Sequence, residues 1–153
     1  MYVTLKMNIE DQEIRLEANL TNRAGRIYRE YFGHDLVDDM TDIYKKTHKN
    51  PFEGIDFSQV DFQGKTENEV STEILNLVVP KYLGSQITSP LSFEDTEKGC
   101  HIVWAFVRNY KKDTPNYDEW IEDFDFVFPV ADLVEKLYEA WTKTAMPAVE
   151  LKN

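Results

Sequence analysis

Only one cysteine, Cys100, occurs in the 153 residues, so the chain cannot close a disulfide on itself. A reducing compartment is the expected setting. Basic residues are also few, with 17 Lys and Arg against 28 Asp and Glu and a net charge of −11. Proteins that hold nucleic acid place basic side chains on phosphates, so this balance argues against a DNA or RNA ligand. An anionic membrane surface would repel the chain for the same reason. No apolar run approaches the ~20 residues of a membrane span. The opening Met1-Tyr2-Val3-Thr4-Leu5-Lys6 lacks the charged and then apolar regions of a secretion signal. The six glycines do not gather into a phosphate-binding loop, and no Gly-x-Ser-x-Gly elbow occurs. Proteins or small molecules remain as partners.

Aromatic residues are plentiful: nine Phe, eight Tyr and three Trp supply a core and argue against disorder. A chain of this length buries roughly two-thirds of its unfolded surface and needs no staples. One domain, 1–153, is expected.

Val3, Leu5, Met7 and Ile9 alternate with polar residues, and Ile14, Leu16 and Ala18 resume the alternation after Glu10-Asp11-Gln12. Two period-two runs joined by a short polar step predict a β-hairpin over 1–20 with one buried face. The period then becomes helical over 21–46, where two helices are expected. Ala24, Ile27, Tyr28, Tyr31 and Phe32 line the first, between a Thr21 cap and a Gly33 stop; Leu36, Met40, Ile43 and Tyr44 line the second.

The pattern dissolves over 47–65, predicting a long loop or insertion that carries Phe52, Phe57 and Phe62 among acids. Thr66 and Glu69 form a capping-box pattern for a helix over 66–84, closed by Pro80 and Gly84. C-terminal helices are expected over 92–146. The first runs from Phe93 to Tyr110 behind Ser92 and an acidic lead-in, a short one is capped by Asn116, and the last follows Pro129 with Leu133, Val134, Leu137 and Trp141 on its stripe. A loose tail is expected over 147–153. The expected fold is therefore α+β and mostly α-helical, a hairpin packed on a bundle of about five to six helices.

Chemistry-bearing patterns are sparse. His34, His48 and His101 lack metal-ligand spacing, and the adjacent Cys100-His101 pair points its side chains about 100 degrees apart on a helix. Asp38-Asp39-Met40-Thr41-Asp42 places acids on one helix face, yet the helix dipole accounts for acids near a helix start. No catalytic residue, metal ligand or cofactor is expected, and the chain is not expected to be an enzyme. The stretch Asp113 to Phe128 holds six acids and no Lys or Arg, with Tyr117, Trp120, Phe124, Phe126 and Phe128 interleaved. Its ordinary explanation is a solvated helix face; its sharper one is an acidic docking patch for a partner with basic and apolar surface. The candidate partner contacts are Phe52, Phe57, Phe62, Tyr117, Trp120, Phe124 and Phe126.

Four segments in order, Leu20-Thr21-Asn22-Arg23-Ala24, Tyr31-Phe32-Gly33-His34-Asp35-Leu36, Ile102-Val103-Trp104-Ala105-Phe106 and Pro115-Asn116-Tyr117-Asp118-Glu119-Trp120-Ile121, resemble the tail assembly chaperones of long, non-contractile-tailed bacteriophages or prophages of Gram-positive hosts. The segment 47–84 has no counterpart in that resemblance. The resemblance implies a protein of the host cytoplasm that binds the tape measure protein, keeps it soluble, helps recruit tail tube protein and is absent from the virion. Self-association into a homo-oligomer is compatible with it. Two other readings compete: an acidic inhibitor that mimics nucleic acid against a host defence protein, and a small enzyme. The first needs carboxylates spaced along an elongated surface, whereas the acids cluster at 35–42 and 113–125. The second needs a pair of perturbed titratable groups that the sequence does not name.

Overall fold

The computed structural model describes residues 1–48, 63–87 and 91–145. Among them, a two-stranded antiparallel hairpin precedes six helices, so the fold is α+β and mostly helical. The expected tail over 147–153 lies outside the described residues, as does most of the expected loop.

The hairpin pairs β1 (Tyr2–Ile9) with β2 (Gln12–Asn19), setting Leu5 opposite Leu16 and Met7 opposite Ile14. Ile9 pairs with Gln12, so the turn is the two residues Glu10 and Asp11 alone. Both hold positive φ, 50° and 64°, as a two-residue turn that follows the strand twist requires. Leu5, Met7 and Ala18 are buried on the inner face.

Five helices belong to the hairpin's compact unit, which comprises 1–47 together with 91 onward. These are α1 (Asn22–Phe32), α2 (Leu36–Thr47), α4 (Phe93–Tyr110), α5 (Tyr117–Glu122) and α6 (Val130–Ala145). Helix α4 is central: it packs against β2, α1, α2, α5 and α6. Ile102, Val103, Trp104, Ala105 and Phe106 are all fully buried, which explains why that run shows no polar face. Gly33 ends α1 at φ 73°, a conformation that costs glycine nothing, and its N–H donates to the Arg29 carbonyl.

Caps are shared unevenly. Ser92 and Asp95 form a reciprocal capping box on α4. Thr21 sits at the cap of α1 but makes no side-chain cap bond. Its Oγ1 instead accepts from Asn109 Nδ2 at 2.8 Å, while the same amide donates to the Asn19 carbonyl at 2.7 Å. Asn109 thereby ties the end of α4 to the hairpin's exit. Asn116 also occupies a cap position with no side-chain bond.

The second compact unit, 48–90, contains α3 (Glu67–Ile87). Thr66 Oγ1 accepts from the Glu69 N–H at 3.3 Å, and Lys65 pairs with Glu73. The helix continues past Pro80 and Gly84, where the sequence had predicted its end. Proline deprives a helix of one hydrogen bond and does not by itself stop the chain from resuming it.

Candidate functional site

Side chains of α1, α4 and α5 and the linker after α4 converge on one aromatic knot. Tyr31 and Phe32 meet Trp104 edge-on, with ring centroids 4.8 and 5.6 Å away. Trp104 donates its indole N–H to the Pro115 carbonyl at 2.9 Å. Phe32 reaches Tyr117, and Tyr117 in turn reaches Trp120. The Arg108 guanidinium lies over the rings of Tyr31 and Trp104, a cation–π arrangement, and donates to the Thr114 carbonyl.

The acidic stretch divides by residue type. Asp113, Asp118, Glu119, Glu122, Asp123 and Asp125 are all exposed. The aromatic side chains turn inward: Trp120 is 6% exposed, stacked on Phe128 at 5.5 Å and met edge-on by Phe124. Tyr117, Phe124 and Phe126 are half-buried against the same core. Trp120 is thus a core residue rather than an exposed partner contact. The reason is geometric: with acids at 118, 119, 122 and 123, residue 120 falls on the inward side of α5. Val127, 79% exposed, is the large apolar side chain this stretch leaves in solvent. Phe52, Phe57 and Phe62 lie outside the described residues.

A cleft of about 250 Å³ opens beside the knot, lined from α1, α2 and α4. Phe32 forms part of its wall with the His101 imidazole stacked on it at 4.0 Å and 5°. Burial pushes the His101 imidazole below its ordinary pKa, against the opposing pull of Glu97, Asp118 and Asp39. Tyr28 donates its hydroxyl to Asp39 Oδ2 at 2.6 Å, and burial together with that carboxylate raises the phenol's pKa. Sequence reasoning placed Tyr28 and Phe32 on a helix stripe and His101 on a buried helix. No sequence pattern signals the cleft, because only the fold brings His34, Asp39 and the acids ahead of His101 together.

The other singled-out groups have structural partners. Asp42 pairs with Lys46 at 3.3 Å and Lys98 at 3.7 Å, and Asp95 with Lys46 at 2.9 Å. Cys100 is buried, and burial together with Glu97 pushes its thiol up to about 11 despite a hydrogen bond with Tyr117, so little thiolate is present near neutrality. Among the described residues, no group of three or more His, Cys, Asp or Glu is arranged to hold a metal ion, and no helix is long and apolar enough to cross a membrane.

No protein-family model, curated protein or solved structure matches this chain.

Proposed function

We propose that the chain is a tail assembly chaperone that binds the tape measure protein of a long-tailed phage or prophage in the bacterial cytoplasm. It would keep that protein soluble and release it as tail tube subunits assemble. The observation that supports this reading is the convergence of its carrying segments. Tyr31 and Phe32, Trp104, and Pro115 with Tyr117 and Trp120 stand far apart in sequence yet pack into one knot. Three of the four segments that carry the resemblance therefore meet in one physical unit. At its edge the six exposed carboxylates of 113–125 offer a surface suited to a basic protein partner. The formal charge of −11 would keep a complex with an aggregation-prone partner dispersed.

The test is a tagged pull-down from phage-producing cells, with mass spectrometry of both the eluate and purified virions. The proposal expects a long, helical phage protein in the eluate and no copy of this chain in virions. Stoichiometric presence in virions would make it a structural tail component. Recovery of a host nuclease in place of a phage protein would make it an acidic inhibitor.

A further inference from the structure

We propose that the cleft beside His101 receives the guanidinium of an arginine presented by a protein partner. This rests on the reading that the chain binds proteins, and it names the chemistry by which one contact is made.

Three observations converge. The first is a concave space of about 250 Å³ walled partly by Tyr28 and Phe32, with His101 stacked on Phe32. Aromatic walls favour a flat, weakly hydrated cation over a compact hydrated one. The second is charge: Asp39, Glu94 and Glu97 line the cleft against the single ammonium of Lys98. An anionic ligand such as phosphate would meet more repulsion than attraction there.

The third is the state of Asp39. Its Oδ2 is fixed by the Tyr28 hydroxyl at 2.6 Å, and its side chain is only 13% exposed. Its Oδ1 lies 3.9 Å from Lys98 Nζ, beyond hydrogen-bond length, and Lys98 is shared with Asp42 at 3.7 Å. The cleft therefore holds an oriented carboxylate whose second oxygen takes no direct bond from the nearby ammonium. A guanidinium supplies what is missing, with N–H groups for Asp39 and Glu97 and a flat face for the aromatic wall.

The test titrates the full-length, ¹⁵N-labelled chain with N-acetyl-arginine N-methylamide, using the citrulline analogue as a neutral isostere. Saturable shifts centred on Phe32, Asp39, Glu97 and His101 are expected for arginine and none for citrulline at equal concentration. The double variant Glu94→Gln/Glu97→Gln changes two exposed residues and should keep its fold by circular dichroism. It should weaken binding roughly tenfold. Equal response to citrulline, shifts that never saturate, or unchanged binding in the double variant would each overturn the proposal. A silent cleft with an intact phage-protein pull-down removes this inference alone. A responsive cleft with no phage protein recovered removes the tape measure reading alone.

Discussion

The indole N–H of Trp104 donates to the backbone carbonyl of Pro115 at 2.9 Å, fixing the linker after α4 to the middle of that helix. Trp104 is fully buried, so its ring and its hydrogen bond act together in setting where α5 begins. Trp104→Phe keeps an aromatic ring but removes the donor and leaves part of the ring's space empty. A loss of about 2–3 kcal/mol is expected, measured by urea unfolding. A loss under about 0.5 kcal/mol, within the range of a neutral surface change, would mean that the linker is held elsewhere.

Trp120 and Val127 make a contrasting pair on the acidic stretch, one 6% exposed and the other 79%. Trp120→Ala should cost about 3–5 kcal/mol, because it empties a site stacked on Phe128 and met edge-on by Phe124. Val127→Asp should leave the unfolding midpoint almost unchanged while weakening partner capture. Thermal denaturation beside the pull-down separates the two. A folded, stable Trp120→Ala chain would return that residue to the surface.

The turn at Glu10 and Asp11 asks two ordinary L-residues to hold positive φ. Asn-Gly adopts that conformation more readily, so Glu10→Asn/Asp11→Gly should stabilise the chain by roughly 0.5–1 kcal/mol. The check is a shift of the urea midpoint upward with the m-value unchanged. A downward shift would mean that the two acidic side chains contribute more than their backbone costs.

Much of this architecture was legible because single elements carry their own periodicity. The alternation of Leu5 and Met7, and the stop at Gly33, read directly as a hairpin and a helix end. Helix α4 runs from Phe93 to Tyr110 as its Ser92 cap and acidic lead-in predict. What could not be read was which partner a polar atom chooses. Thr21 has the side chain of a cap, yet a residue 88 positions away, Asn109, takes its oxygen. Inward and outward aromatics were equally opaque: Trp120 and Val127 lie seven residues apart, and only packing separates them. The cleft was invisible because its acids belong to α2 and α4, whose approach depends on the whole core.

Acid should destabilise the chain in two windows. Burial lowers the His101 pKa in the folded state, so the unfolded chain binds the proton first. Stability from the neutral ring is full above the ordinary value of 6.5 and is lost as pH falls from there toward the lowered folded value. Asp95 behaves differently: burial alone would raise its carboxyl, but Lys46 and the two Ser92 bonds outweigh burial and hold it below 3.8. Its contribution is present above 3.8 and disappears as pH falls further, through the folded value. His101→Gln should flatten the slope of unfolding free energy just below pH 6.5, a slope of at most about 1.4 kcal/mol per pH unit for one group. An unchanged slope would assign the proton uptake to another residue.

Gly99 lets α4 and α6 approach. A Cβ at that position would lie 2.0 Å from Val130 Cγ1 and 3.0 Å from Cγ2. Val130 is buried and β-branched, with little rotamer freedom to step aside. Gly99→Ala should therefore cost about 1–3 kcal/mol, although alanine in a helix interior is otherwise favoured over glycine by about 1 kcal/mol. The two effects separate in a double-mutant cycle. Val130→Ala removes the clashing methyls, so Gly99→Ala made in that background should be neutral or stabilising. The coupling, read from urea unfolding of the four chains, should be at least about 1 kcal/mol and favourable. Additive losses would place the strain in the α4 backbone rather than in the contact between the two helices.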